Sequence, residues 1–300
     1  MQDDNIRSGF AGLIGRTNVG KSTLINKMIK KKILITSDKV QTTRKRINCI
    51  LNTPRSQIVF VDSPGFFRPR NLLQERLKDT ASGVVKDVDV IVVVVDAAGG
   101  IGKGDRFVFD QIRKINIPRI LLVNKIDLVK SDQYRSDLHE IEKEGIFDSI
   151  IEVSAKTGEN LDSFINILED YLPVGPRYYD PDMICDQPLE NTVAEIVREK
   201  LFGELSQEIP HSITVEADSI KKTKTASGKE LTSIECSIYT ERDSQKAIII
   251  GKKGSLLKSI GSKARKELEK LLDTKVFLQL WVKVKHNWTR EEAFLDRFGF

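Results

Sequence analysis

The sequence contains few of the residues that build disulfide frameworks or metal centres. Its 300 residues include only three cysteines, Cys49, Cys185 and Cys236, which are widely spaced and match no metal-binding pattern. Because their number is odd, a disulfide framework is not indicated, and we expect buried or inert thiols in a reducing compartment. The three histidines also lie far apart in the sequence, and nothing about them indicates a metal or catalytic role.

Long apolar runs and a strong charge of either sign are also missing. No apolar run approaches the roughly 18 residues that a membrane-spanning helix needs, and the first residues, Met1–Asn5, are too polar and acidic for a signal peptide. We therefore expect a cytoplasmic protein. The net charge of +5 is weak evidence for nucleic-acid binding, while 40% hydrophobic residues are enough to build real cores. The length indicates one large domain or two ordinary ones.

The most informative segment that is present is Gly15–Ser22, which fits the phosphate-binding pattern Gly-x4-Gly-Lys-Ser. An apolar run typical of a buried strand (Phe10–Ile14) precedes it and a helix-permissive run (Thr23–Met28) follows it, as a P-loop requires. The glycines let backbone N–H groups turn inward around phosphate oxygens at a helix N-terminus. Lys21 can reach the β- and γ-phosphates, and Ser22 can ligate Mg²⁺. The predicted nucleotide contacts of this segment are Gly15, Asn18, Val19, Gly20, Lys21, Ser22 and Thr23.

A second segment, Asn124–Asp127, indicates which base the nucleotide carries. It follows the apolar run Arg119–Val123, so its side chains are expected at the carboxyl end of a strand. The Asp127 carboxylate can accept hydrogen bonds from N1–H and the 2-amino group of guanine. Adenine lacks both donors, so ATP would leave this carboxylate unpaired. Asn124 can tie the base edge to the P-loop, and the Lys125 stem can cover the face of the ring.

Ser154–Lys156 follows the last predicted strand of this region and fits a further guanine contact. The N–H of Ala155 would reach O6 of the base, with Ser154 and Lys156 on either side of it. An ordinary strand-to-helix turn would have the same sequence, and the residues alone leave both interpretations open.

Asp62–Gly65 ends the predicted strand Gln57–Val61 and provides a candidate for sensing the γ-phosphate. A carboxylate at this point can hold Mg²⁺ through water, as an aspartate does in P-loop NTPases, so Asp62 is a predicted metal ligand. The N–H of Gly65 can donate to the γ-phosphate, which would let the loop distinguish GTP from GDP.

Gln41–Arg44 forms a polar loop before the next strand and contains the second Mg²⁺ candidate. Thr43 is the favoured hydroxyl ligand, with Thr42 or a plain polar loop as the alternatives. Together with Ser22 and Asp62, Thr43 would complete the metal site. Loss of the γ-phosphate would then release both polar loops, which is an order–disorder switch.

Phe66, the residue after Gly65, stands where many signalling GTPases have a glutamine that orients the attacking water. Phenylalanine cannot orient water, so either hydrolysis is poor or water is positioned otherwise. In GTPases with an apolar residue here, an asparagine at the place of Asn18 often implies a K⁺ ion beside the phosphates, which would supply positive charge. The alternative is that Asn18 only caps or braces the loop. The candidate catalytic residues are Asn18, Lys21, Thr43 and Gly65.

The first 170 residues or so alternate apolar runs with amphipathic stretches, which predicts a three-layer α/β domain with a mostly parallel sheet. Further predicted strands are Val88–Val95 and Ser149–Val153, and the predicted helices are Asp105–Asn116, Ser131–Glu144 and Asn160–Tyr171. Ligands of such folds bind beyond the carboxyl ends of the strands, where all the segments above fall. We predict a GTP-binding domain over residues 1–172 and a linker over 173–182, where two prolines and a glycine occur within four residues.

Residues 183–300 have a different pattern of predicted helices and strands, which indicates a small α+β domain. A helix (Asn191–Leu205), two antiparallel strands, two more helices and a last strand give the order α-β-β-α-α-β. The predicted elements after the first helix are His211–Ala217, Leu231–Thr240, Ser244–Ile250, Ser255–Leu272 and Lys275–Val284. Trp281 lies in the last, apolar strand and is expected in the core, whereas Trp288 is expected to pack the C-terminal tail.

Gly251–Gly254, with the sequence Gly-Lys-Lys-Gly, separates the two predicted helices of this domain. In this position it is typical of a type-II KH domain, whose Gly-x-x-Gly loop clamps the backbone of single-stranded RNA. Between Arg242 and Lys285 there are 12 basic and 4 acidic residues, a net charge of +8 that the bulk composition hides. A solvated helix face rich in lysine is the alternative. The predicted RNA contacts are Gly251, Lys252, Lys253, Gly254 and Lys258.

The combined motifs resemble the Era family of bacterial GTPases over nearly the whole chain. Its third motif usually has threonine where this sequence has Ser63, which leaves Asp62 and Gly65 intact. The resemblance implies GTP or GDP and Mg²⁺ as cofactors, binding of the 3′ end of small-subunit ribosomal RNA, and a role in small-subunit assembly. It also implies peripheral contact with the inner face of the cell membrane, and we expect a monomer.

Two other function classes remain compatible with the residues. One is a GTP-dependent RNA-binding module with negligible hydrolysis, which Phe66 would explain. The other is a GTPase of tRNA modification or membrane traffic whose C-terminal domain binds protein.

Overall fold

The computed structural model describes residues 6–37, 42–67, 69, 71–129, 133–205, 212–224, 228 and 230–300. The N-terminal Met1–Asn5, Gln41 of the polar loop and His211 lie outside this part of the chain, as do Ser131 and parts of the basic loop Lys221–Lys229. The chain forms two compact units, one of residues 1–34, 43–70 and 74–186 and one of residues 35–42, 71–73 and 187–300. The domain limits drawn from the sequence stay a prediction.

The first unit is built on one sheet in which the strands run β2-β3-β1-β4-β5-β6, with β7 beside β1. Pairing is parallel except for β2 against β3 and β7 against β1. The strands are β1 Ile6–Ile14, β2 Ile47–Asn52, β3 Ser56–Asp62, β4 Val90–Asp96, β5 Arg119–Asn124, β6 Ser149–Glu152 and β7 Val174–Gly175.

Helices cover both faces of this sheet. The helices α1 Lys21–Ile29 and α5 Leu161–Tyr171 pack on one face, and α2 Leu72–Val84, α3 Lys103–Ile112 and α4 Gln133–Glu144 pack on the other. Strand β4 shows why the sequence folds in this way, because Val92 and Val94 belong to one apolar cluster and Val93 and Val95 to the opposite one. A strand buried on both faces must be apolar at every position. The predicted three-layer α/β architecture is confirmed.

The second unit joins helices to a smaller sheet. Its elements are α6 Leu189–Glu204, β8 Ile213–Lys224, β9 Glu230–Thr240, α7 Asp243–Ile250, α8 Ser255–Leu272, β10 Lys275–Val284 and α9 Glu292–Phe298. The sheet order is β10-β9-β8, with β8 antiparallel and β10 parallel to β9. One sheet face packs on α6 and α8 through an apolar core. The predicted α-β-β-α-α-β order is confirmed, and α9 follows it.

The cysteines are all free thiols. Cys49 and Cys236 are buried, and Cys49 faces Cys185 across an isolated antiparallel bridge. Burial raises the pKa of the Cys236 thiol to about 12, and a hydrogen bond with Cys185 raises that of Cys49. Thiols with raised pKa values hold few thiolates, so they react slowly. Within the described part of the chain, no helix is long and apolar enough to cross a bilayer.

Candidate functional site

The P-loop connects β1 to α1 at the carboxyl edge of the first unit's sheet. In the sheet β1 lies between β3 and β4, with the strands earlier in the chain on one side and the later ones on the other, so β1 ends at the point where ligands bind in such sheets. Gly15 and Gly20 have φ angles of 152° and 99°. A Cβ atom on Gly20 would lie 2.4 Å from Nδ2 of Asn124, and one on Gly15 would lie 2.4 Å from the carbonyl oxygen of Val94. Only glycine fits at these two positions.

Lys21 begins α1 and points back into this loop. Its ammonium donates to the carbonyl oxygens of Arg16 at 3.0 Å and Gly15 at 3.4 Å. Burial lowers the pKa of the Lys21 ammonium to about 8, and the negative charge of Asp62 offsets this only in part. A bound phosphate would favour the charged ammonium, because an opposite charge within a few ångströms stabilises it.

The three candidate metal ligands come together. The hydroxyls of Ser22 and Thr43 donate to Oδ2 of Asp62 at 3.1 and 3.0 Å, and the two hydroxyl oxygens lie 3.2 Å apart. Thr42, the alternative, instead donates to the carbonyl of Ser37. This geometry favours Thr43 over Thr42.

Asp62 is fully buried, and its Oδ1 has no hydrogen-bond partner among the described residues. Burial raises the pKa of the Asp62 carboxyl, against the charge of Lys21 and the hydrogen bonds from Thr43 and Ser22. A buried carboxylate oxygen without a partner is costly, and a divalent cation would remove that cost. Carboxylate and hydroxyl oxygens suit Mg²⁺. The residues present therefore fit the metal predicted from the sequence.

Asn124, which ends β5, links the P-loop to the loop that follows β6. Its Nδ2 donates to the carbonyl of Val19 at 2.8 Å, and its Oδ1 accepts from the N–H of Ala155 at 3.0 Å. The predicted tie to the P-loop is therefore present in the structure. The predicted contact between Ala155 N–H and guanine O6 stays a prediction, and in it the base would share this donor with Asn124.

Asp127 lies in the turn that follows Asn124, which we call the base-side loop, and is exposed, as a base-binding carboxylate must be before the base arrives. Its Oδ1 accepts from the hydroxyl of Ser154 at 2.6 Å, which fixes the carboxylate. Lys156 is exposed on the following turn. The two base-side segments of the sequence, Asn124–Asp127 and Ser154–Lys156, thus meet at one place.

Two acidic residues of this region were not predicted from the sequence as part of the site. Asp96 ends β4 at the same edge and pairs with the Nζ of Lys125 at 2.6 Å, while that Nζ also donates to the carbonyl of Asn18 at 2.8 Å. Asp105 is buried in α3 and pairs with Arg16 of the P-loop at 2.8 Å. The position of Asp96 at the carboxyl end of a predicted strand could have indicated its place in the site. No comparable pattern in the sequence points to Asp105.

The loop after β3 lies against the P-loop. A Cβ atom on Gly65 would lie 2.8 Å from the backbone nitrogen of Thr17, so the two backbones approach closely. The N–H of Phe66 donates to the carbonyl of Gly15 at 3.0 Å, and the Phe66 side chain is buried in the apolar core. Phe66 therefore presents no polar group to a water molecule at the phosphates.

The Gly-Lys-Lys-Gly loop of the second unit joins α7 to α8. Gly251 and Gly254 have φ angles of 70° and 78°, and a Cβ atom on Gly251 would lie 2.8 Å from that of Leu256. Lys252 and Lys253 are exposed. The loop therefore needs glycine at its ends and offers two cations to solvent.

A groove of about 460 Å³ runs from this loop between α8 and β10. Its lining contains cations and apolar groups but no carboxylate, which suits phosphates and bases together. The lining residues are Gly254, Leu257, Lys258, Gly261, Ser262, Arg265, Leu278 and Leu280. Lys258, predicted from the sequence as an RNA contact, lies in this lining.

The expectation that Trp281 is a core residue is wrong. Its side chain is 55% exposed, because β10 alternates and Leu280 and Val282 take the inward positions. Trp288, by contrast, is fully buried, packs against the rings of Phe294 and Phe300, and donates its indole N–H to a backbone carbonyl. The expectation that it packs the C-terminal tail is confirmed.

The fold and the two sites define a P-loop GTPase that carries a KH domain. Residues 10–125 match the family described as "50S ribosome-binding GTPase", and residues 208–289 match the family described as "KH domain". The chain is 45% identical over 294 residues to GTPase Era of Alkaliphilus oremlandii (strain OhILAs), which covers 98% of this chain and 99% of that protein. The chain therefore belongs to the Era family and is a GTPase.

Other relatives agree with this assignment. GTPase Era of Clostridioides difficile (strain 630) is 44% identical over 295 residues, 98% of each chain. The structure of Era in complex with MgGDPNP and nucleotides 1506–1542 of 16S ribosomal RNA superimposes with a TM-score of 0.93 at 37% identity, over 98% of this chain and 99% of that one. A variant of Aquifex aeolicus Era bound to GDP·AlF4⁻ gives the same TM-score and coverage at 36% identity.

Proposed function

We propose that this GTPase is a slow switch that binds the 3′ end of small-subunit ribosomal RNA and assists assembly of the small ribosomal subunit. The observation that carries the proposal is the cationic, carboxylate-free groove beside the Gly-Lys-Lys-Gly loop. The similar Era structure that holds nucleotides 1506–1542 of 16S ribosomal RNA supports it.

The nucleotide in this proposal is GTP or GDP with Mg²⁺, as in the similar structures with MgGDPNP and GDP·AlF4⁻. Ser22 and Thr43 would ligate the metal through their hydroxyls, and Asp62 would hold it through water. The metal supplies positive charge beside the β- and γ-phosphates. Lys21 donates to the same phosphates, and the N–H of Gly65 donates to the γ-phosphate and so distinguishes GTP from GDP.

Hydrolysis is expected to be slow and to depend on a monovalent cation. With Phe66 turned into the core, no glutamine side chain orients the attacking water, and a K⁺ ion held by Asn18 would stabilise the charge that develops on the phosphates. We expect phosphate release about tenfold faster in K⁺ than in Na⁺, which corresponds to about 1.4 kcal/mol of barrier.

The matched variant for this measurement is Asn18→Gly. Asn18 has a φ angle of 65°, which glycine adopts without strain, so the change removes the side chain and keeps the backbone. Its rate should be the same in both cations. Equal rates of phosphate release by the wild type in K⁺ and in Na⁺ would contradict the proposed role of K⁺. Absence of turnover in either cation, with and without RNA, would favour the RNA-binding module with negligible hydrolysis.

The function as a whole is tested by crosslinking the full chain to total RNA in GTP and in GDP and sequencing the bound RNA. We expect the 3′ end of small-subunit ribosomal RNA to be enriched in GTP and to be less enriched in GDP. Enrichment of tRNA would favour the alternative of a tRNA-modification GTPase. Absence of any enriched RNA would contradict the proposal.

The location and oligomeric state belong to the same proposal. We expect a cytoplasmic monomer, and the family resemblance supports peripheral contact with the inner face of the cell membrane. Co-sedimentation of the purified chain with anionic vesicles tests the membrane contact directly.

A further inference from the structure

The edge strand β10 has two faces with different surroundings. Its even-numbered residues pack inward, and among them Leu278 and Leu280 line the groove beside α8. Its odd-numbered residues point to the opposite, outer face because successive side chains of a strand alternate. On that face Phe277 is 50% exposed and Trp281 is 55% exposed.

The C-terminal segment covers only part of the outer face. Tyr239 of β9 packs against the rings of Phe294 and Phe298, with centroids 5.3 and 5.7 Å apart. Phe277 and Trp281 lie outside this cover and keep half of their surface in water. Single exposed apolar residues are normal on protein surfaces, whereas neighbouring exposed apolar groups rimmed by polar residues mark interaction sites. Here two large aromatic side chains are exposed on one face of the same strand.

The order of residues along this face of β10 indicates the chemistry of the partner. From one end to the other it reads Lys275, Phe277, Gln279, Trp281 and Lys283, with no carboxylate. Aromatic rings stack on bases, an amide can bond base edges, and lysines at both ends attract phosphates. We call these five residues the outer stripe.

Two carboxylates near the outer stripe lie toward the middle of the sheet, and a third, Glu269 of α8, lies 3.9 Å from the ammonium of Lys275 at one end of the stripe. Glu235 stands beside Gln279 on β9, and Asp218 of β8 accepts a hydrogen bond from Ser237 at 2.6 Å. The other side of β10 is the open edge of the sheet. A polyanion is therefore directed away from the middle of the sheet and toward the part of the edge strand that carries Trp281 and Lys283.

We propose that the outer stripe is a second RNA-contact surface, on which two unpaired bases stack on Phe277 and Trp281. The inference rests on the proposed function, because it extends the RNA path out of the groove. Leu278 and Leu280 of the groove alternate with these rings on a single edge strand, so RNA reaches the outer face by passing around that strand. The two rings are four residues apart, about 13 Å along the strand, so they would hold two separate bases.

The test compares Trp281→Ala with the wild type in the full chain, using two fluorescently labelled RNAs. One has the sequence of nucleotides 1506–1542 of 16S ribosomal RNA, and the other has about four nucleotides, which is the length that a Gly-x-x-Gly loop clamps. We expect Trp281→Ala to weaken binding of the long RNA about tenfold, a typical loss for one stacked base. Binding of the short RNA should not change, and Trp281→Phe should restore the long-RNA affinity.

Leu271→Ala is the matched control, because Leu271 is also an exposed apolar residue of this unit, at 45%, but lies on α8. It should bind both RNAs like the wild type. Tryptophan emission gives a second readout, since Trp281 is exposed and Trp288 fully buried. The long RNA should quench the emission of the wild type but not that of Trp281→Phe.

Unchanged affinity of Trp281→Ala for the long RNA, or absence of quenching, would overturn the inference and leave the proposed function standing. Normal affinity for RNA with weaker binding to isolated small subunits would also overturn it, in favour of a protein partner. A wild-type chain that binds neither RNA would overturn the proposed function itself, so the two failures are distinguishable.

Discussion

Replacement of Asp127 by asparagine is expected to lower the affinity for GTP by a hundredfold or more. The Asp127 carboxylate is exposed at the base-side loop and fixed by the hydroxyl of Ser154 at 2.6 Å. In the proposed complex it accepts two hydrogen bonds from guanine. Hydrogen bonds to charged groups contribute about 1.5–3 kcal/mol each, so the loss of both corresponds to about 10²–10⁴ in affinity. Asparagine would also turn an amide donor toward the donors of the base.

The same substitution should favour xanthosine triphosphate, whose base has an oxygen in place of the 2-amino group. Competition binding of GTP, XTP and ATP to the purified chain measures the change. Glu159→Gln is the matched control, because Glu159 is exposed in the neighbouring turn, to which it contributes its backbone carbonyl and N–H. Unchanged GTP affinity of Asp127→Asn, or equal wild-type affinity for ATP and GTP, would contradict the assignment of Asp127.

The strands buried on both faces of the first sheet were the easiest part of the fold to predict. A short unbroken apolar run such as β4, in a sequence where such runs alternate with amphipathic stretches, indicates a strand of a parallel sheet that is buried on both faces. The shared location of the motifs could then be predicted, because each motif follows a strand and parallel strands have their carboxyl ends at one edge of the sheet. For this reason Lys21, Asp62, Asn124 and Ser154 could be assigned to one site although they are far apart in the sequence.

Elements with weaker local patterns escaped prediction. Strand β2 is a short edge strand whose apolar run is interrupted by Asn48 and ends at Asn52. Helix α2 contains Thr80, Ser82 and Gly83, which are poor helix formers. Both are stabilised by packing against the sheet. The short strand β7 forms inside the Pro-rich segment through its pairing with β1, which no local pattern reveals.

The bonds inside the site depend on three-dimensional geometry and could not be predicted in detail. Asn124 was expected to tie the base to the P-loop, but its second bond, from Ala155, needs the exact distance between two strand ends. The choice of Thr43 over Thr42 likewise rests on distances to Asp62. The exposure of Trp281 shows the limit of composition, since an apolar strand at a sheet edge can face water on one side.

Charge reversal of the Gly-Lys-Lys-Gly loop, Lys252→Asp with Lys253→Asp, is expected to weaken RNA binding by a hundredfold or more at physiological salt. Each lysine that contacts a phosphate releases counterions on binding. The slope of log affinity against log salt concentration should therefore decrease in magnitude by about two when both lysines are replaced. The new carboxylates would also repel the phosphates. Affinity for GTP should stay near that of the wild type, because all the predicted nucleotide contacts lie in the first unit.

Fluorescence anisotropy with the 1506–1542 RNA across a salt series measures both the affinity and its slope. The matched control is Lys30→Asp with Lys31→Asp, an adjacent pair of exposed lysines in the first unit that changes the net charge equally. If the control weakens RNA binding as much as the loop variant does, net charge and not the loop governs binding. If the loop variant binds RNA normally, the groove is not the RNA site, and a KH domain that binds protein becomes the better interpretation. A selective loss in the loop variant, with a shallower salt slope, is the result that the glycine geometry and the two exposed lysines predict.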